Sequence, residues 1–211
     1  MYSPRAFVEH DLSQLDALFA ADPFVSLVTY SAGMPQATSL PVLYRRDGQA
    51  VLIEGHWARP NPQAGHAGDA LLLVHGPHAY VSPSWYPDKA TQARVPTWNY
   101  AAAQLQGRLD VFDDEAGLLD LLGRMSAHFE AAVGGNWRLD ADDPRERVQV
   151  RCVFGFRFVP ERIAVKHKLN QNHPLANRAA VALRLAQSPH ERERAIRAMM
   201  QATLHDSSRE D

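Results

Sequence analysis

Between Phe24 and Ser82 the chain alternates short apolar runs with turn residues, leaving little room for helices between the strands. Phe24 to Ser31, the turn Ala32-Gly33-Met34-Pro35, and Gln36 to Tyr44 read as a hairpin. Asp47-Gly48 is a second strong turn signal, and Ala50 to Glu54 supplies a third strand. Ala70 to Val74 and His78 to Ser82 add two more, joined at Gly76-Pro77. Thr97 to Phe112 should hold a longer strand bent at Gly107, and Arg151 to Lys168 another, interrupted at Val159-Pro160-Glu161. About seven strands with few helices among them argue against alternating βαβ units. They predict a mainly β, antiparallel fold, a closed or partly split barrel, because closure removes exposed edges.

Helical spacing is confined to a few places. Leu12, Leu15, Leu18 and Phe19 follow the capping residue Asp11 and stop at Pro23. Leu118, Leu119, Leu122, Met125 and Phe129 follow the acidic run Asp113-Asp114-Glu115, where the helix dipole favours negative charge, and end at Gly134-Gly135. Beyond Asn172 the pattern changes to two helices, Pro174 to Gln187 and Pro189 to Leu204. Ser188 and Glu191 read as a capping box with Pro189 at the first helical position. Ile196, Met199, Met200, Thr203 and Leu204 form the buried stripe, and the polar tail from His205 is expected to fray. The chain thus divides into a β domain, 1–172, and a C-terminal helical extension, 173–211.

A net charge of −2 and a pI near 6.5 leave no global footprint for nucleic acid. The C-terminal pair superficially resembles a helix-turn-helix, but from Ser188 onward four arginines face five acids. A single cysteine, Cys152, excludes an internal disulfide; its alternation with Phe154, Phe156 and Phe158 reads as core. The N-terminal segment carries Arg5, Glu9, His10 and Asp11 instead of an apolar signal core. No run approaches the roughly 20 apolar residues of a spanning helix, so a cytoplasmic protein with no membrane partner is expected.

Four segments carry chemistry: Gly55 to Pro62, Gly76 to Pro87, Val95 to Tyr100 and Lys166 to Asn172. They combine aromatic rings, amides and cations, which suits a flat heteroaromatic ligand with a phosphate tail. Neither a G-x-G-x-x-G nor a P-loop pattern occurs, so phosphate would be held by side chains. Lys166 and Lys168, two apart on a strand, face the same side, and the Arg59 fork can grip phosphate with two hydrogen bonds. The competing reading of the lysines is a solvated strand face. Trp98 and Asn99 are either a packed indole with a turn-forming amide or a ring-edge pair. His56, His66, His75 and His78 lack metal-ligand spacing, so no metal is expected. No G-x-S-x-G elbow occurs, and no catalytic acid, base or nucleophile is assigned.

Taken in order, these motifs resemble the PaiB family of FMN-binding negative transcriptional regulators. The resemblance starts at Met1-Tyr2-Ser3-Pro4, continues through Ala37-Thr38-Ser39-Leu40-Pro41 and the four segments above, and ends at Asn172. It implies an FMN-binding split barrel, a homodimer with cofactor sites at the subunit interface, and a possible DNA or regulatory protein partner. By the same resemblance, Arg59, Lys166 and Lys168 are phosphate candidates, and Thr38 and Ser39 supply hydroxyl or backbone contacts. Trp98 and Asn99 flank the isoalloxazine, and His56, Asn61 and Gln171 complete the set. His167, Asn170 and Gln104 stand where the family usually has tryptophan, serine and histidine. An FMN-dependent oxidoreductase is the alternative function.

Overall fold

A computed structural model describes the backbone of residues 1–206 and side chains through Thr203, so the side chain of Leu204 and the end of the polar tail lie outside the described residues. The strands are β1 (Val8–Glu9), β2 (Phe24–Ser31), β3 (Met34–Pro41), β4 (Leu43–Asp47), β5 (Ala50–Ala58), β6 (Gly68–Val81), β7 (Thr97–Phe112) and β8 (Val153–Lys168). The helices are α1 (Ser13–Ala21), α2 (Glu115–Ala132), α3 (Pro144–Val150), α4 (Leu175–Ala186) and α5 (Glu191–Asp206). The hydrogen-bonded path runs β3-β2-β6-β7-β8-β5-β4, with β1 added beside β8. The registered pairings are antiparallel, and among the described residues β3 and β4 remain as ends. The mainly β, antiparallel split-barrel class is what forms, and the sheet does not close.

Several local expectations change. Gly76-Pro77 does not divide β6, and Pro160 does not interrupt β8. The second strand of the first hairpin stops at Pro41, and β4 starts afresh at Leu43. Cys152 is exposed rather than core, because β8 begins one residue later and Cys152 closes the turn after α3. Helix α3 was not foreseen, although Asp143 caps it through the Arg145 amide at 2.8 Å and Pro144 opens it. At α5, Ser188 Oγ binds Glu193 at 2.6 Å instead of forming a box with Glu191, so the helix starts two residues after Pro189.

The chain forms two compact units. The first comprises Met1–Leu15, His75–Ala103 and Ala164–Asp211; the second comprises Asp16–Val74 and Gln104–Ile163. The core of the first gathers Ala79, Val81, Tyr86, Leu169, Val181, Leu185, Ile196 and Met200. Tyr86, within one of the four chemistry-bearing segments, is buried there with its hydroxyl accepting from Asn170 Nδ2 at 2.9 Å.

In the second unit, the alternation of β2 buries Val25 and Leu27, while Phe156 and Phe158 of β8 are fully enclosed. The Trp57 ring lies 4.7 Å from Phe156. A carboxylate is buried in this unit as well. Glu54 of β5 takes two hydrogen bonds from Arg124 of α2, at 2.7 and 3.1 Å, and one from Arg157 of β8 at 3.3 Å. Two charge-assisted partners offset the desolvation that an isolated carboxylate would suffer.

Gly107 of β7 permits a close backbone approach, since a Cβ there would stand 2.1 Å from the Val159 carbonyl oxygen. Gly123 in α2 has no neighbour within 4 Å of the same position. Gly107→Ala should therefore cost about 3 kcal/mol or more through overpacking. Gly123→Ala should stabilise by about 0.5–1 kcal/mol by removing glycine from a helix interior. Urea denaturation of the two variants checks the opposite signs.

Candidate functional site

Five of the candidate residues belong to the second unit. Thr38 and Ser39 lie on β3, His56 lies on β5, and Arg59 and Asn61 follow it in a tight loop. That loop is fastened by amides. Asn61 Nδ2 donates to Thr38 Oγ1 at 2.9 Å, and Thr38 in turn donates to Gln63 Oε1. Gln63 Nε2 reaches Leu27 O, Thr29 Oγ1 and Gln36 O at 3.2, 2.9 and 2.9 Å. The Gln63 amide N–H donates to Asn61 Oδ1 at 2.9 Å, an Asx turn. Gln63 was missed at the sequence level. The Asn-Pro pair before it signals a turn, but nothing local shows that the next side chain is buried against β2 and β3.

Arg59 is shaped differently. Its Nε donates to Arg151 O at 2.8 Å, and its guanidinium carbon stands 4.1 Å from the centre of the Phe154 ring. The fork meets Asp113 at only 3.3 and 3.4 Å, and the side chain is 39% exposed. Its plane is thus fixed while its outer N–H groups are weakly engaged. Ser39 is exposed on the edge strand, 3.3 Å from Ser26 Oγ. His56 is largely enclosed, with Nδ1 3.4 Å from Met125 Sδ, and burial pushes its pKa below the ordinary value.

The other five belong to the first unit. Trp98 and Asn99 are neighbours on β7, so their side chains leave opposite faces. The Trp98 indole is 51% exposed, flanked by His78 and Tyr80 at centroid distances of 5.9 and 6.0 Å. Asn99 is fully buried on the helix side, where Nδ2 lies 3.4 Å from Met200 Sδ and Oδ1 has no partner. Of this pair, only Trp98 offers a ring to solvent.

Lys166 and Lys168 do share a face of β8. Lys166 Nζ donates to Tyr2 O at 3.0 Å and stands 5.2 Å from the Tyr100 ring. Lys168 Nζ donates to Thr97 Oγ1 and, at 2.6 Å, to Trp98 O. Among the described residues neither forms an ion pair. Burial, and then repulsion from Lys166, pulls the Lys168 pKa down. Gln171 is spent on the backbone: Oε1 accepts from Leu169 N and Nε2 donates to His167 O, both at 2.6 Å. It holds the turn in which Asn170 adopts φ +63°, a conformation asparagine tolerates better than most residues.

Residues 1–162 match the family described as "Putative FMN-binding domain". The chain belongs to this family. It is 30% identical over 176 residues to the protein named protease synthase and sporulation protein PAI 2 of Bacillus subtilis, covering 82% of this chain and 83% of that one. Its fold resembles the flavocytochrome Anf3 of Azotobacter vinelandii, with a TM-score of 0.52 at 18% identity, over 76% of this chain and 68% of that one. It also resembles the conserved hypothetical protein Rv2991 of Mycobacterium tuberculosis, with a TM-score of 0.53 at 12% identity, over 82% and 94% of the two chains. No helix among the described residues is long and apolar enough to cross a membrane.

Burial holds His56, His167 and His173 below the ordinary histidine value of 6.5, Glu9 acting in the opposite direction at His167. The unfolded chain therefore takes up protons near that value that the folded chain refuses. Stability from these three groups should be complete above pH about 6.5 and fall as the pH drops below it. Melting temperatures measured from pH 7.5 down to 5 should show that slope, shallower in His167→Gln.

Proposed function

We propose that this protein binds FMN, with Lys168 and Lys166 drawing its phosphate and the Trp98 indole stacking on its ring. One observation carries the reading. Two ammonium groups stand on one strand face with neutral oxygens and rings for partners, beside an exposed indole that meets Tyr80 edge-on and His78 at a tilt. Buried cations normally come paired, so this face attracts an anion. Asn99 and Gln171 serve it from behind, one tying β7 to α5 and the other fixing the turn after Lys168. The remaining proposed contacts, Thr38, Ser39, His56, Arg59 and Asn61, belong to the second unit. Arg59 is the strongest of them because its outer N–H groups are exposed and loosely held.

Bound FMN would supply a redox-active ring; the side chains described here bind and orient it. We propose that it acts as a ligand or sensor in a PaiB-type regulator working through a protein partner. The first turn of α5 carries Glu191 and Glu193, a poor setting for reading DNA. Likeness in fold to a flavocytochrome supports the second reading, an FMN-dependent oxidoreductase. We also propose a homodimer, supported by exposed Phe24, Tyr30 and Met34 on the β2–β3 hairpin at the sheet edge.

Titrating the apoprotein with FMN and following flavin fluorescence tests the assignment. Lys168→Ala and Arg59→Ala should each weaken binding by about 1.5–3 kcal/mol, tenfold or more, and Arg59→Lys should recover only part. Lys89→Ala should change nothing. Unchanged affinity in both alanine variants would sink the phosphate assignment. Bleaching of the bound flavin by NADPH would favour the oxidoreductase, and an inert flavin the sensor. Light scattering reporting a monomer at micromolar concentration would end the dimer proposal.

A further inference from the structure

Within the first unit, residues of β1, β8 and α5 line a partly open cavity of about 350 Å³. Four of its lining residues are polar, Glu9, His167 and Thr203 among them, and four are apolar, including Leu169, Met199 and Ala202. No side chain among these residues has a part in the flavin reading above; only the backbones of His167 and Leu169 do, through Gln171. Its size is within the range of small-molecule pockets, and its lining offers both an apolar side and polar groups to orient a ligand.

His167 is the unusual member. It is only 7% exposed, and its Nε2 is buried without a partner. Its Nδ1 stands 4.0 Å from Glu9 Oε2, beyond hydrogen-bond length but near enough for one atom to bridge both. Glu9 Oε1 is already taken by the amides of His10 and Asp11, at 2.9 and 3.0 Å, which leaves Oε2 as the free acceptor. The tautomer follows from these facts. A proton on Nε2 would be a buried donor with nothing to receive it, whereas a proton on Nδ1 points toward a carboxylate. The bridging atom must then accept from Nδ1–H and donate to Glu9. A hydroxyl does both. An ammonium cannot accept, and a carboxylate would be repelled by Glu9.

We propose that this cavity binds a small alcohol or phenol, its hydroxyl bridging His167 Nδ1 and Glu9 Oε2 and its apolar body lying against Leu169, Met199 and Ala202. The thioether of Met199 is a favourable neighbour for an aromatic ring, which makes a phenol the better probe. The site is independent of the flavin assignment and stands or falls without it.

Fluorine NMR of 4-fluorophenol with the full chain, without FMN, tests it. The resonance should broaden and shift on adding protein, and unlabelled phenol should reverse the change. The isosteric 4-fluorotoluene, which lacks the hydroxyl, should bind about tenfold more weakly. His167→Phe keeps a ring but removes the donor and should weaken 4-fluorophenol to the level of 4-fluorotoluene. His167→Trp should abolish binding of both by filling the space. The comparison of the two probes on the unaltered protein holds even where a variant fails to fold. Equal binding of the two probes would reduce the cavity to an unspecific apolar void and overturn the proposal. So would the absence of any change at millimolar 4-fluorophenol, which would mean that water alone bridges the pair.

Discussion

The second unit is organised around a charge that it cannot afford to leave alone. Glu54 lies inside, and the two guanidiniums that neutralise it come from different elements, Arg124 from α2 and Arg157 from β8. The backbone ladder sets β8 beside β5, and the ion cluster adds a directional contact that holds α2 against the same strand. The apolar contacts of the same unit supply cohesion without direction. Phe156 against Trp57 tolerates other packings of similar volume, whereas removing a single member of the ion cluster would leave a buried charge short of its partner.

Fastening by polar side chains recurs in the candidate residues themselves. Thr38 and Asn61 were singled out as ligand contacts, and both are occupied in holding the Arg59–Gln63 loop to the sheet. Gln171 is likewise occupied with the turn after Lys168. What these amides present outward is Arg59 in one unit and Lys168 in the other, each with its plane or position fixed and its charge incompletely answered. Such an arrangement lowers the entropy cost of gripping an anion, because the cations need not be ordered when it arrives.

Much of this was legible in the sequence because strand periodicity and turn residues are local signals. The strands, the antiparallel class and the shared face of Lys166 and Lys168 follow from a period of two. Cys152 shows the limit of that reasoning. It keeps step with Phe154, Phe156 and Phe158, yet the strand starts after it, and alternation alone gives no boundary. Pro160 sits inside β8, where Gly107 of β7 leaves room for the close approach of Val159 and Pro160, a relation between residues far apart in the chain. Gln63 and the burial of Tyr86 depend on equally distant partners, Leu27 and Gln36 for one and Asn170 for the other.

The opposed faces of Trp98 and Asn99 give β7 two duties at one point. On one side of the backbone is an indole open to solvent; on the other is an amide lodged against Met200 of α5. Because one stretch of backbone carries both, the packing of Asn99 against the helix helps fix the place from which the Trp98 ring faces solvent.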